Sequence, residues 1–275
     1  MAQIIFNDKK IFYRVEGAGA PVLLLHGFGE DGNIWNRQLD KLKQNNLLII
    51  PDLPGSGQSE MLEGNCTLKD YAEVVKAIVD KEIKGEKSLP AGREGLFTMI
   101  GHSMGGYITL AFAEKYPELL SAFGLFHSSA YADSEEKVQT RKKAIEFIKK
   151  NGREEFLKTS VPGLFSEKTQ QQRPELVKEL LALANKITPE ALIQYYEAMI
   201  LRPDTTNILK SFSKPVLFII GKHDTAVPMK DSLEQSHLSA ISYVHILEHS
   251  GHEGMWEQED LSTSFLEEFL GATSK

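Results

Sequence analysis

Apolar residues along this chain fall in short runs separated by polar, glycine-rich turns. "QIIF" and "IFYRV" flank the polar turn "NDKK" and predict an N-terminal hairpin. "PVLLL" (21–25), "NLLII" (46–50), "LFTMI" (96–100), "AFGLF" (122–126), "PVLFIIG" (215–221) and "ISYVHIL" (241–247) are nearly continuous apolar runs. Strands buried on both faces of a parallel sheet read this way. Helical stretches separate them. One runs through Lys43, one starts at Thr67 with Asp70 in a capping-box position, one follows "GHSMGG" and ends before Pro117, and one closes the chain from about Met255. "KGEKSLPAGREG" (Lys84–Gly95) has the composition of an exposed loop.

From about Tyr131 to Lys210 the rhythm changes to helices alone, as in "EKVQTRKKAIEFIKKN", "RPELVKELLALAN" and "TPEALIQYYEAMIL". Thr188 followed by Pro189 is a strong helix start, a capping oxygen and then a preset φ. The expected fold is therefore α/β. It has a mostly parallel central sheet of about eight strands, helices on both faces, and an all-helical insertion. The expected boundaries are a core over residues 1–129 and 206–275 and a helical segment over 130–205. The charge run "EEKVQTRKKAIEFIKKNGREE" mixes both signs and reads as a solvated helix face. Phe147, Phe156, Phe165, Tyr195, Tyr196 and Met199 read first as packing residues of the insertion.

Composition narrows the class without naming a function. The chain has 275 residues, 41% hydrophobic and 25% charged, the balance of a globular protein. A formal net charge of −7 argues against a nucleic-acid binder, whose footprint is a basic face. The single cysteine, Cys66, forms no intrachain disulfide and fits a reducing, cytoplasmic setting. The N-terminus lacks the basic and apolar segments of a signal peptide, and no apolar run approaches the roughly 18 residues of a membrane span.

The chemistry concentrates on three loops. In "GHSMGG" Ser103 sits between a strand and a helix, on a turn so tight that Gly101 and Gly105 matter for lacking side chains. The following helix aims its N-terminus at the serine, which leaves the Met104 N–H free to donate. A hydroxyl needs a base, and the base needs an orienting carboxylate. Asp224 in "GKHDTAVP" and the histidines His249 and His252 in "HSGHEGMWE" lie past later strands, with Asp231 as an acid farther into a helix. His127 also follows a strand, and His26 and His102 lie beside the functional loops, in bracing or pocket-lining positions.

Together "HGFG", "DLPGSGQS", "GHSMGG", "GKHDTAVP" and "HSGHEGMWE" resemble the functional loops of the α/β-hydrolases, and the resemblance covers essentially the whole chain. It implies Ser103 as nucleophile, Asp224 as acid and His252 as base, with the Phe28 and Met104 amides as oxyanion hole and the insertion as a cap. It implies hydrolysis of a carboxylic ester or related acyl bond of a small molecule. No cofactor, metal or nucleic acid is expected, in a monomer or homodimer. Lactones, carbon–carbon bonds and peracids are alternatives with the same triad. Ser103 disfavours the aspartate-nucleophile branches. His102 stands where carbon–carbon hydrolases often have Asn, and Tyr107 where the menaquinone-pathway lyases usually have Arg.

Two rival readings remain. "GFGEDG" (27–32) matches G-x-G-x-x-G, with Asp52 twenty residues past Gly32 as a ribose-binding acid. Glu30 and Asp31 would, however, place negative charge where a pyrophosphate must sit. A non-catalytic binder on the same fold would more often lack one of Ser103, Asp224 and His252. No H-E-x-x-H or C-x-x-C metal motif is present.

Overall fold

Asn7 and Asp8 both adopt positive φ (47° and 63°), the geometry of a tight hairpin turn. They join β1 (Ala2–Phe6) to β2 (Lys9–Glu16). The computed structural model describes residues 1–83 and 96–273, so the loop expected over Lys84–Gly95 lies outside the described residues. The apolar runs become β3 (Ala20–Leu25), β4 (Asn46–Pro51), β5 (Phe97–His102), β6 (Leu120–Phe126), β7 (Val216–Gly221) and β8 (Ser242–Leu247).

These eight strands form one sheet in the order β1-β2-β4-β3-β5-β6-β7-β8. Strands β3 to β8 run parallel, and the hairpin adds an antiparallel edge through β2 against β4. Alternate residues of each strand face opposite layers. Leu23 and Leu25 of β3, with Phe218 and Ile220 of β7, face the helices Leu68–Glu82 and Met104–Lys115. Val22, Leu24, Leu217 and Ile219 face the layer containing Leu42 and the C-terminal helix Glu259–Thr273. That is why the runs are apolar at consecutive positions.

The chain leaves β3 outward to β4 and returns to β5 on the other side. Loops after β3 and β5 therefore diverge at the carboxyl edge and open a crevice there. The described residues between β6 and β7 hold helices only, from Glu135–Asn151 to Thr206–Ser211. Among them, the helix Pro189–Ile200 starts as expected, with Thr188 Oγ1 accepting the Ala191 N–H at 3.2 Å. It reaches over the crevice: the Tyr195 hydroxyl lies 2.8 Å from Ser56 Oγ and donates to the Pro54 carbonyl at 2.8 Å. Among the described residues no helix is long and apolar enough to cross a membrane.

Candidate active site

β5 ends at His102 and the next helix starts at Met104, so Ser103 alone makes the turn. Its backbone stands at φ 50°, ψ −116°, a costly conformation for a residue with a side chain. Neighbours hold it there. The Ser103 N–H donates to the Phe126 carbonyl at 2.9 Å, and the Ser103 carbonyl accepts from Ser128 Oγ at 2.7 Å and the Gly106 N–H at 2.9 Å. A methyl on Gly101 would overlap the Gly105 carbonyl, and one on Gly105 would meet the His26 carbonyl at 2.7 Å. Met104 is the first helical residue, so its N–H has no intrahelical acceptor.

The loop after β3 comes up against this turn. A methyl on Gly27 would meet Ser103 Cβ at 3.0 Å. His26 braces the loop: its Nε2 accepts the Leu53 N–H at 2.9 Å, which leaves Nδ1 to donate to the Gly27 carbonyl at 2.9 Å. The next residue, Phe28, stacks its ring on Tyr196 at 4.2 Å and meets Phe156 and Tyr195 edge-on.

Asp224 lies three residues past β7, and His252 lies five past β8. The structure joins them: His252 Nδ1 donates to Asp224 Oδ2 at 2.8 Å, which leaves Nε2 as the acceptor nitrogen. The Ala226 and Val227 N–H groups both donate to Asp224 Oδ1 at 2.8 Å. Burial alone would raise the Asp224 pKa, but His252 and His127 hold it well below the usual carboxylate range. His249 is exposed, with its amide bound to Gln258, and Asp231 sits on the helix Met229–Ser236. Neither joins the pair. The His252 ring lies 5.0 Å, centroid to centroid, from that of His102, the neighbour of Ser103.

Four buried residues around this pair make contacts that the sequence reading did not assign. His127 Nδ1 lies 3.1 Å from the same Asp224 Oδ2 and 3.2 Å from the Gly221 nitrogen. Burial lowers its pKa to about 4, so it stays neutral beside His252. Behind Ser103, His102 donates Nδ1–H to Glu30 and Nε2–H to the His252 carbonyl, both at 3.0 Å. Burial opposes this charge, yet Glu30 prevails and raises the His102 pKa to about 9. Glu30 Oε2 also accepts the Gly27 N–H at 2.6 Å. One ion pair thus ties the loop after β3 to the loop that carries His252. Glu253, fully buried with neither carboxyl oxygen hydrogen-bonded, is pushed well above the ordinary range, first by burial and then by Glu30.

Asp52 is consumed structurally. Its oxygens accept the Gly32 and Gln58 N–H groups, each at 3.0 Å, so this buried carboxylate clamps the loops after β3 and β4. Among the described residues, two groups of possible metal ligands have donor atoms within 4.8 Å of one another, His127–Asp224–His252 and Glu30–His102–Glu253. In the second, both ring nitrogens of His102 donate protons, and an imidazolium offers a metal no lone pair.

The profile of the alpha/beta hydrolase fold matches residues 20–259. The chain belongs to that family. Over 111 residues this α/β-hydrolase is 32% identical to an uncharacterized protein of Mycobacterium tuberculosis, covering 39% of this chain and 29% of that one. The chain thus spans under a third of that relative's length. A 2-hydroxy-6-oxononadienedioate/2-hydroxy-6-oxononatrienedioate hydrolase of Paraburkholderia phymatum is 24% identical, over 96% of this chain and 92% of that one. A thermophilic esterase from Thermogutta terrifontis superposes with a TM-score of 0.90 at 27% identity, covering 100% of this chain and 99% of that one.

Proposed function

We propose that this α/β-hydrolase is a serine hydrolase that cleaves a carboxylic ester, or a related acyl bond, of a small molecule. The observation that carries the reading is the 2.8 Å bond from His252 to the buried Asp224 carboxylate, on the same sheet edge as the strained Ser103 turn. In this mechanism His252 Nε2 takes the Ser103 proton as Oγ attacks the acyl carbonyl. Asp224 holds the imidazole in the required tautomer and stabilises its cation. The Phe28 and Met104 N–H groups receive the oxyanion, and His252 then protonates the leaving alcohol. Water activated by the same nitrogen releases the acyl group from Ser103. The helical segment 130–205 acts as the cap that shapes the pocket, with Tyr196 packed on Phe28. Up to the attack step, a lactone would follow the same course.

The test is hydrolysis of 4-nitrophenyl esters from acetate to dodecanoate by the wild type and Ser103→Ala. The expected loss in kcat is roughly 10⁴- to 10⁶-fold. A variant that kept a large share of the activity would refute Ser103 as nucleophile.

A further inference from the structure

The mixed-charge helix Glu135–Asn151 does not present all its charges to water. The Arg141 side chain is 11% exposed, and that of Arg202, just past the helix Pro189–Ile200, is 6% exposed. Both bind one carboxylate, Asp133: Arg141 Nε at 2.6 Å and Arg202 Nη1 at 2.9 Å. Arg202 spends its other donors on the Tyr131 carbonyl, from Nε at 3.2 Å and Nη2 at 2.9 Å. Arg141 Nη1 has no acceptor among the described residues. Lys137, one helical turn earlier, donates Nζ to the Ala226 carbonyl at 2.8 Å and pairs with no carboxylate among the described residues. Three inward-turned cations thus share one anion.

These cations border the proposed site on several sides. The Arg141 guanidinium lies 5.5 Å from the Tyr196 ring, which stacks on Phe28. Arg202 lies 3.8 Å above the ring of Tyr107, in the first turn of the helix that follows Ser103. Ala226, which holds Lys137, is two residues past Asp224. Neither the Tyr107 nor the Tyr196 hydroxyl has a hydrogen-bond partner among the described residues, and neither oxygen is sealed from solvent, so both are open to a ligand. Burial opposes ionisation of Tyr107, but Arg202, Lys137 and Arg141 outweigh it and hold the hydroxyl below its ordinary range. Anchoring the helix to the core accounts for Asp133 and Arg202. It leaves Arg141 Nη1, the Lys137 ammonium, which makes no direct ion pair among the described residues, and two unpartnered hydroxyls without a role.

A surplus of buried positive charge is unfavourable until an anion enters, and a guanidinium fork matches a planar carboxylate. We propose that the pocket selects esters bearing a free carboxylate, received by Arg141 with the Tyr107 and Tyr196 hydroxyls and attracted by Lys137. This rests on Ser103 being the nucleophile.

The experiment compares mono-4-nitrophenyl glutarate with 4-nitrophenyl valerate, which share a leaving group and nearly a chain length but differ in charge. The wild type is expected to favour the glutarate ester in kcat/KM by roughly 10- to 100-fold, the range for a charge-assisted contact. Arg141→Met should collapse that ratio toward one, Arg141→Lys should leave an intermediate ratio, and Tyr196→Phe should lower it several-fold. A wild type that hydrolyses both esters equally, or an Arg141→Lys ratio equal to wild type with a Tyr196→Phe ratio also unchanged, overturns the proposal. Should Arg141→Met fail to fold, the wild-type ratio and the two milder variants still decide it. Ser103→Ala separates the two readings. If it abolishes both hydrolyses while no charge preference exists, only the carboxylate pocket fails. If it abolishes neither, the nucleophile assignment fails as well.

Discussion

Glu253 is the residue whose surroundings fit its chemistry least. It is fully buried, lacks a hydrogen-bond partner and lies near the Glu30 carboxylate, so the folded chain favours its protonated form. A carboxyl raised in this way binds a proton in the folded state that the unfolded state has already released at neutral pH. Its contribution therefore turns unfavourable as pH rises above the unfolded-state value near 4.3. Glu253→Gln keeps the shape without the titration. It should raise the unfolding free energy at pH 7 by about 1 kcal/mol or more. The difference should disappear near pH 3, well below the unfolded-state value, where the carboxyl is protonated in both states. Urea unfolding at the two pH values checks this, and a variant less stable at pH 7 would count against a neutral Glu253. Ser103, Asp224 and His252 were legible because motif, order and strand ends point to them. The Glu30–His102 contact and the burial of Glu253 were not, because nothing in "GFGEDG" or "HSGHEG" says that the two loops meet behind the serine.

At the scale of elements, periodicity was readable and orientation was not. The helix Glu135–Asn151 was expected as a solvated face, and most of it is exposed. Lys137, Arg141, Ile145 and Ile148 nevertheless recur at helical spacing, and the two isoleucines are buried. That spacing was the available signal that the two cations share the inward face. The helix Pro189–Ile200 shows how firmly the insertion is fastened. Tyr195 is fully buried, and its hydroxyl bonds to the loop after β4 through Ser56 and Pro54. Tyr195→Phe keeps the ring packing but leaves the Pro54 carbonyl and Ser56 hydroxyl short of a partner. It should cost about 1 to 3 kcal/mol. Thermal unfolding measures this. An unchanged midpoint would show that water replaces the hydroxyl without loss.

At the scale of the molecule, the candidate site exists only because strands distant in sequence lie side by side. β5, β6, β7 and β8 are consecutive neighbours in the sheet, so the loops carrying Ser103, His127, Asp224 and His252 emerge along one edge. Groups that act as one unit lose their function together. Ser103→Ala combined with His252→Ala should therefore be no slower than Ser103→Ala alone, with Asp224→Asn alone costing somewhat less. Steady-state kinetics on one 4-nitrophenyl ester tests this. Multiplicative losses would mean that the three residues act independently.

From the sequence alone came the class of fold, the strands, the helical insertion, the turn at Ser103 and the chain order of the three candidate residues. All of these depend on local periodicity, turn chemistry and residue type. Tertiary structure alone decided that His127 shares the Asp224 carboxylate with His252, and that Asp52 is spent on two loops. It also turned Lys137 and Arg141 inward. Each of those outcomes depends on which surfaces pack together, and burial and partnership are properties of the assembled sheet and insertion that no local stretch of chain encodes.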